Sequence, residues 1–316
     1  MKIGYFLSSE EWGPRDLVNL ATKAEQAGFE GLWISDHYHP WSDEQGHSPF
    51  VWSVIGAIAE ATEQKVTTAV TCPTVRIHPA IIAQAAATAS LLLDGRFCLG
   101  VGSGEALNEH ILGDRWPEAD ERLEMLEEAV HVIRALWEGD VVNHRGRHYR
   151  VERCRIYDRP ATSPPILVSG FGPKAIDVAA KIGDGFVTVG PDAEAVERFR
   201  AGARRGKLVQ GGIKVCWGSD EAQARKTAYR LWANDGLPGE LAQVLPTPQH
   251  FEQASQLVTE EMIAEDTPCG PDVERHVDAL RAYAEAGFDE VYVQQIGPDQ
   301  DAFFDAYREH VLRRFR

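Results

Sequence analysis

Apolar segments of two different periodicities alternate along most of the chain. Short runs rich in β-branched and aromatic residues predict strands, and longer segments with apolar residues every three or four positions predict helices. Residues 15–28, for example, place Leu17, Leu20 and Ala24 on one helical face and end at a glycine suited to a helix C-cap. The predicted strands are 2–7, 31–35, 65–71, 96–101, 165–169, 185–189, 212–218 and 288–294. The predicted helices are 15–28, 50–62, 80–93, 121–137, 173–182, 193–205, 221–232, 273–287 and a last helix that closes the chain.

Two stretches depart from this alternation. Residues 143–158 predict a short hairpin-like excursion, and residues 234–271, which contain prolines and no clear strand, predict an insertion with short helices. Eight strands alternating with helices predict an α/β fold, a (β/α)8 TIM barrel with its insertion before the last helix and strand, because each parallel strand needs a crossover that a helix supplies. A doubly wound open sheet is the alternative. We expect residues 1–316 to form a single domain.

Composition narrows the class of protein. Acidic residues outnumber basic ones, 48 against 32, so the formal charge is −16. The sequence has no long basic stripe that could neutralise a phosphate backbone, so nucleic acid is not an expected partner. The chain enters a strand at residue 2, and no segment reaches the ~18 uncharged apolar residues of a membrane span, so we expect a soluble, cytoplasmic protein. The five cysteines are far apart and form no C-x-x-C pair, which indicates reduced thiols.

Polar residues follow several of the predicted strands, where a TIM barrel carries its loops and its chemistry. They are Asp36 and His37 after the second strand, Thr71 and Cys72 after the third, Ser103, Gly104 and Glu105 after the fourth, Ser169 and Gly170 after the fifth, and Thr188 within the sixth. Because the ends of parallel strands meet at one face of a barrel, these groups predict one shared mouth.

Two glycine-rich segments suggest ligand contacts. Residues 100–105 lack the G-x-G-x-x-G spacing of a Rossmann fold, so we interpret their small residues as a place where a flat ring system approaches the backbone. Glu105 at the rim would exchange a proton if burial raises its pKa; the alternative is an exposed residue in the first turn of a helix. Residues 168–174 predict either a phosphate site at a helix start or an ordinary tight turn.

The histidines allow two interpretations. An apolar strand that ends in Asp36-His37 predicts that the imidazole lies in a cleft at the end of the strand. The same pattern is also typical of a surface loop whose histidines and tryptophan only pack against the protein. His37, His39 and His47 show no third-ligand spacing such as H-E-x-x-H, so we predict no metal site. No G-x-S-x-G elbow and no P-loop is present.

Three separated motifs resemble the luciferase-like flavin and deazaflavin oxidoreductases. They are Asp36-His37-Tyr38-His39-Pro40-Trp41, residues 71–76 with His78-Pro79-Ala80, and residues 102–109. The resemblance covers nearly the whole chain and is nearest to the branch of coenzyme F420-dependent glucose-6-phosphate dehydrogenase and F420-dependent secondary alcohol dehydrogenase. It implies a TIM barrel, usually a homodimer, that binds a deazaflavin in its mouth.

The resemblance also implies roles for single residues. His37 would be the acid-base for the proton of a substrate hydroxyl, Trp41 would flank the reacting carbon, and Glu105 would exchange a proton with the cofactor ring. Glu10, after the first strand, falls where the family has another active-site carboxylate. The implied cofactor contacts are Asp36, Ser103, Gly104, Asn108, Ser169, Gly170, Phe171, Gly172 and Thr188, together with a non-proline cis peptide bond between Ala69 and Val70.

The sequence departs from the glucose-6-phosphate branch where that branch binds phosphate. Its members have a Lys after the sixth strand and a Lys and an Arg in the insertion, whereas this chain has Gly190-Pro191, Gln253 and no Arg near Ala264. A dianionic phosphate would lack cationic partners there, so glucose 6-phosphate is not the expected substrate. The cations that would have to compensate are Arg204, Arg205 and Lys207.

We therefore expect an enzyme that acts on a small molecule. The leading hypothesis is an F420-dependent oxidoreductase that moves a hydride between an alcohol or hemiacetal carbon and the deazaflavin. The first alternative is an FMN-dependent reductase or monooxygenase, because the compact region 191–211 resembles a subgroup that uses an ordinary flavin. The second alternative is a non-catalytic flavin-binding barrel.

Overall fold

Eight parallel strands, each a short run of mostly buried residues, close into a barrel, which confirms the predicted TIM barrel. The computed structural model describes residues 1–315. The barrel strands are β1 (Lys2–Leu7), β2 (Leu32–Ile34), β3 (Val66–Thr68), β4 (Phe97–Val101), β7 (Ile166–Ser169), β8 (Gly185–Val189), β9 (Leu208–Val215) and β10 (Glu290–Gln295). The hairpin predicted at 143–158 is the antiparallel pair β5 (Val142–Arg145) and β6 (Arg150–Cys154). Around the barrel the order is β1-β10-β9-β8-β7-β4-β3-β2.

Helices follow the strands, as the alternation predicts. The longer ones are α1 (Pro14–Ala27), α2 (Val51–Ala61), α3 (Pro79–Leu92), α5 (Ala119–Trp137), α6 (Pro173–Ile182), α7 (Ala193–Gly202), α8 (Glu221–Trp232) and α12 (Val273–Glu285). The shorter ones are α4 (Ala106–Glu109), α9 (Leu241–Val244), α10 (Pro248–Ser255), α11 (Glu260–Asp266) and α13 (Gln300–Ala306). The predicted insertion at 234–271 contains α9, α10 and α11, preceded by a 3-10 turn at Ala233–Gly236. Among residues 1–315, none of the helices combines the length and hydropathy that a membrane crossing requires.

The predicted start of the seventh barrel strand is wrong. We expected 212–218, but β9 begins at Leu208. Glycines usually weaken a strand, and the pair Gly211-Gly212 lies in the middle of this one. Both are required by packing: a Cβ on Gly211 would lie 2.8 Å from the Tyr283 ring, and one on Gly212 would lie 2.6 Å from the Trp33 ring.

A polar and aromatic layer fills the barrel below its mouth. Trp33 of β2 stacks on Tyr292 of β10 with ring centroids 4.7 Å apart, and its indole N–H donates to Gln210 at 2.8 Å. Gln210 in turn donates to Glu290 at 2.6 Å and to the Tyr292 hydroxyl at 3.2 Å. All four side chains are buried and have hydrogen-bond partners, so this layer is a rigid floor.

Helix α12 is fastened to the C-terminal segment by a buried histidine. His276 is fully buried, its Nε2 lies 3.0 Å from the Gly270 carbonyl oxygen, and its Nδ1 lies 2.9 Å from the Tyr307 hydroxyl. A neutral ring satisfies both contacts when Nε2 donates and Nδ1 accepts. Burial lowers the pKa of His276 to about 4.

We expect His276 to make the protein less stable in acid. Its ordinary pKa of 6.5 applies to the unfolded chain and about 4 to the folded one, so its stabilisation is complete above pH 6.5 and is lost as the pH falls towards 4. By about pH 5 this one group should remove roughly 2 kcal/mol from the free energy of unfolding. Chemical denaturation of wild type and His276→Gln at about pH 7.5 and about pH 5 measures the difference. The same acid loss in both proteins would contradict the assignment.

Candidate active site

His37 lies at the mouth of the barrel between two carboxylates. Its Nδ1 is 3.0 Å from Oε1 of Glu10, and its Nε2 is 3.7 Å from Oε2 of Glu105. The Nδ1 contact has the distance of an ion pair but lacks the alignment of a hydrogen bond. One tenth of the imidazole surface is exposed, so a ligand in the mouth can reach it. An imidazole flanked in this way can take up a proton and have the resulting charge stabilised.

Glu10 is held in place by hydroxyl groups from the ends of two neighbouring strands. Its Oε2 accepts hydrogen bonds from Ser8 at 2.8 Å and from Ser35 at 2.9 Å. The Ser35 hydroxyl also accepts from the backbone N–H of Ser9 at 2.9 Å. The loop after β1 and the end of β2 therefore fix the carboxylate that faces His37.

Trp41 forms a wall beside His37. The two rings meet edge to face with centroids 5.1 Å apart, and Phe251 of α10 packs on Trp41 in the same manner at 5.0 Å. Phe251 is fully buried. The insertion at 234–271 thus supports one wall of the mouth.

Asn108 braces the loop that carries His37. Its side-chain oxygen accepts from the backbone N–H groups of Tyr38 at 2.8 Å and His39 at 3.0 Å, and its amide donates to Glu105 at 3.2 Å. These contacts place Glu105 and His37 together. They also engage both ends of the Asn108 amide within the protein, so its implied contact with a cofactor stays a prediction.

Asp36 belongs to a buried ion-pair network that the sequence did not reveal. It accepts from Thr71 at 2.7 Å and from the guanidinium of Arg76 at 2.9 Å. Glu109 accepts from the backbone N–H groups of Arg76 at 2.7 Å and Val75 at 3.2 Å. Burial raises the pKa of Glu109 to about 7, although these donors and the Arg76 charge oppose the shift. The two oxygens of Asp36 are occupied, so its implied cofactor contact also stays a prediction.

The facing edges of β3 and β4 present backbone to the mouth with few side chains. The predicted cis peptide bond between Ala69 and Val70 is present. A Cβ on Gly100 would lie 1.9 Å from the Thr68 carbonyl oxygen, and one on Gly102 would lie 2.8 Å from the Val70 side chain. These glycines allow the strand ends to approach closely, and the half-buried Ser103 and the left-handed Gly104 continue the same edge. Such an edge fits a flat ring system.

The start of α6 lies after β7, as the sequence predicts. Gly170 lets the helix pack on the strand end, because a Cβ there would lie 2.9 Å from the backbone of Ala175. No side chain caps the helix at Gly172, and a Cβ on Gly172 would have no neighbour within 4 Å. Phe171 is exposed and Ser169 half-buried. Open backbone amides at a ten-residue helix suit a phosphate group.

Thr188 does not share the mouth with the other predicted residues. Side chains alternate along β8: Val187 packs with Trp33 inside the barrel, whereas Phe186 stacks on Phe199 of α7 outside it. Thr188 has the parity of Phe186 and is buried, so its side chain faces the helices.

Two polar residues of the mouth escaped the sequence reasoning. In the register of β9 and β10, Gln210 pairs with Glu290, Gly212 with Tyr292 and Lys214 with Gln294. Lys214 and Gln294 are therefore the next inward-facing pair above the buried floor. A period of two along residues 210–214 is the signal that could have identified Lys214, but the predicted strand began only at Gly212.

The cluster of Arg204, Arg205 and Lys207 cannot compensate for the missing phosphate ligands. These residues join α7 to the start of β9, at the end of the barrel opposite the mouth. Lys207 donates to the carbonyl oxygen of Ala180 at 2.8 Å. The proposed compensation is thus wrong on geometric grounds.

Comparisons with known proteins agree with this geometry. Residues 1–290 match the family described as luciferase-like monooxygenase. The chain is 36% identical over 330 aligned positions to an F420-dependent glucose-6-phosphate dehydrogenase of Amycolatopsis mediterranei (strain U-32), covering 100% of this chain and 99% of the relative. It is also 36% identical to the enzyme of the same name from Nakamurella multipartita, covering 100% and 97%. A solved F420-dependent secondary alcohol dehydrogenase in complex with an F420-acetone adduct superposes with a TM-score of 0.92 at 30% identity, covering 98% of each chain.

Proposed function

Because this chain belongs to the luciferase-like monooxygenase family, we propose that it is an F420-dependent oxidoreductase that transfers a hydride between the deazaflavin and an alcohol or hemiacetal carbon. The observation that carries the proposal is His37, held between Glu10 and Glu105 at the end of β2, next to the closely packed, glycine-rich ends of β3 and β4. Relatives that cover 98–100% of the chain are F420-dependent glucose-6-phosphate dehydrogenases and an F420-dependent secondary alcohol dehydrogenase.

The residues present fit this cofactor. When bound, F420 supplies an acceptor for a hydride, which is two-electron chemistry. The edge of β3 and β4 would hold its ring, and the open start of α6 would hold its phosphate. The residues proposed for these contacts are Ala69, Val70, Ser103, Gly104, Ser169, Gly170, Phe171 and Gly172.

The proton chemistry follows from the position of His37. Its Nε2, on the side of Glu105, would accept the proton of a substrate hydroxyl. Glu10, on the side of Nδ1, would stabilise the imidazolium that results. Glu105, held by Asn108, would bind or release a proton at the rim. Trp41 would limit the space beside the reacting carbon.

We further propose that the substrate carries no phosphate group. The phosphate-binding positions inferred from the sequence are occupied here by Gly190, an exposed Gln253 and a buried Ala264, none of which is a cation. Lys214, which faces the mouth, is already paired with Asp235 at 2.7 Å. Non-phosphorylated secondary alcohols and sugars are therefore the substrates to screen, with glucose 6-phosphate as the comparison.

Parallel titrations with F420 and FMN test the proposal directly. We expect F420 to bind and to be reduced by at least one alcohol or sugar of the panel, followed by its absorbance and fluorescence. Tight binding of FMN without binding of F420 would overturn the proposal in favour of a flavin-dependent reductase or monooxygenase. Binding of either cofactor without turnover of any substrate would favour a non-catalytic barrel.

A second copy of the chain is the partner that we propose for the face formed by α2 and α3. The two helices contain one charged residue between them, Glu60. Large apolar side chains are exposed on or beside them, namely Phe50, Ile81, Leu91 and Leu92. Monomeric proteins rarely leave such patches in contact with water, so burial in a homodimer is favoured.

Ile81→Lys should disrupt this dimer. Ile81 is 57% exposed, so lysine is tolerated in the single subunit, whereas burying its charge at an apolar interface is costly. We expect light scattering to show a dimer for the wild type and a monomer for the variant. Leu257→Lys, which changes an exposed apolar residue of the insertion, is the matched control and should stay dimeric. A dimeric Ile81→Lys protein would place the interface elsewhere.

We also propose a cytoplasmic location and a single domain over residues 1–316. All five cysteines are free thiols, which suits a reducing compartment. The insertion packs on the barrel mouth through Phe251 and Trp41, which supports one domain over two.

A further inference from the structure

The last two residues of α8, Leu231 and Trp232, are linked by hydrogen bonds to the two loops that carry Glu10 and Trp41. The indole N–H of Trp232 donates to Oε1 of Glu11 at 2.7 Å, and Glu11 is the neighbour of Glu10, which faces His37. On the other side, the carbonyl oxygen of Leu231 accepts from Gln45. The end of this helix therefore lies between the loop after β1 and the loop that carries Trp41.

Glu11 accepts three hydrogen bonds, one from α8, one from β10 and one from the loop that follows β10. Besides Trp232 of α8, it accepts from the side-chain amide of Gln294 on β10 at 3.0 Å and from the backbone N–H of Gly297 at 2.8 Å. Burial raises the pKa of Glu11 to about 7, and the three donors act against this shift by favouring its charged form. Glu11 thus ties the end of α8 to the barrel rim, directly beside the residue that faces the imidazole.

Gln45 makes the corresponding link to Trp41. Its side-chain oxygen accepts from the backbone N–H of Trp41 at 2.8 Å, and its amide donates to the Leu231 carbonyl oxygen at 2.9 Å. Gln45 is buried, as is Trp232. On its ring face Trp232 carries the ammonium group of Lys214, 4.0 Å from the ring centroid. The end of α8 is therefore fixed on several sides.

We propose that Glu11 is a positioning residue that sets the place of Trp41 relative to His37 through the end of α8. The contacts run from His37 through Glu10 and Glu11 to Trp232, and from Leu231 through Gln45 to Trp41. Glu11 reaches neither the imidazole nor the indole of Trp41, so it acts through its neighbours. This inference rests on the proposed function for its kinetic consequence, but its structural consequence is independent of any cofactor.

Glu11→Ala and Glu11→Gln test the proposal kinetically. Because a displacement of about 1 Å in an active site costs up to about a hundredfold in rate, we expect Glu11→Ala to lower kcat about tenfold to a hundredfold. The Kd of F420 should change less than about twofold, since the cofactor contacts proposed above lie on β3, β4 and α6. Glu11→Gln keeps an oxygen for Trp232 and Gln294 and should recover most of kcat. A purely structural role predicts lower thermal stability with unchanged kcat, and that result would overturn the proposal.

Hydrogen–deuterium exchange gives a readout without turnover. In Glu11→Ala we expect faster exchange in two segments far apart in sequence, 38–48 and 229–247, with no change in α5. Gln45→Ala should affect the same two segments, and the double variant should add little to either single one. If the wild type shows no F420 turnover, the proposed function fails while this measurement still decides on Glu11. Exchange that is faster across the whole chain, or unchanged in both segments, would overturn the positioning role.

Discussion

His37→Ala is expected to lower kcat of F420 reduction by about 10²- to 10⁴-fold, the range for losing a general acid-base. The imidazole is the group that reaches the mouth with a carboxylate at each ring nitrogen, and alanine leaves Glu10 and Glu105 with no partner between them. The affinity for F420 should stay nearly unchanged, because the residues proposed to hold the cofactor lie at the ends of β3 and β4 and at the start of α6, not on the loop that carries His37. Steady-state kinetics and a fluorescence titration measure the two quantities.

His47→Ala is the matched control for this prediction. His47 lies in the same loop but is exposed, so its removal should change kcat less than about twofold. If His37→Ala retained more than about a tenth of wild-type kcat, the acid-base would have to be another group, and Glu105 would be the next to replace. A large loss of F420 affinity in His37→Ala would instead make His37 a binding residue.

The barrel was predictable because its signal is local and repeated. Each strand is a short apolar run and each helix has its own period, so an error at one element, such as the start of β9, does not disturb the others. The prediction began this strand at Gly212 and omitted residues 208–211, although both Gly211 and Gly212 lie within β9. Their partners Tyr283 and Trp33 are distant in sequence, so the packing that demands glycine there was invisible.

The sequence predicted several of the residues that share the site, but not the hydrogen bonds between them. His37 and Glu105 meet as the strand ends predicted, and Glu10, which only the family resemblance pointed to, joins them. The side chain of Asn108, however, bonds to backbone groups 69 and 70 positions earlier, a contact that no spacing rule anticipates. The predicted position of the Thr188 side chain in the mouth was wrong for a different reason. Successive residues of a strand point alternately into and out of the barrel, and the predicted bounds of a strand do not say which residues point inward.

Hydrogen bonds and ion pairs between residues distant in sequence determine which ligands the mouth can bind. Arg76 is a cation near His37, but its Nη2 is paired with Asp36, the residue before His37, and its Nε with Glu109, so its charge is largely balanced within the protein. Lys214 is likewise paired with Asp235. The number of cations near the mouth therefore does not predict its affinity for phosphate. What matters is whether each cation is already paired with a carboxylate of the protein.

Arg76→Met should destabilise the protein by about 3–5 kcal/mol, the typical cost of removing one member of a buried ion pair. Arg76 is 6% exposed, Asp36 1% and Glu109 fully buried, so water cannot replace the lost guanidinium at either carboxylate. Denaturant unfolding of wild type and variant measures the change in the free energy of unfolding. Because Asp36 directly precedes His37, we expect kcat to fall as well.

Two further variants separate the lost ion pair from lost packing. Arg115→Met removes a surface pair with Glu121, in which the arginine is 67% exposed, and should cost less than about 1 kcal/mol. Arg76→Met combined with Glu109→Gln removes one of the two carboxylates left unpaired and should be less destabilised than Arg76→Met alone, because part of the cost is the buried charge itself. Equal losses in the single and double variants would show that Arg76 acts through its packed stem rather than through its charge. In that case the loop that carries His37 would depend on hydrophobic contact, and its position would be insensitive to the ionisation of Glu109.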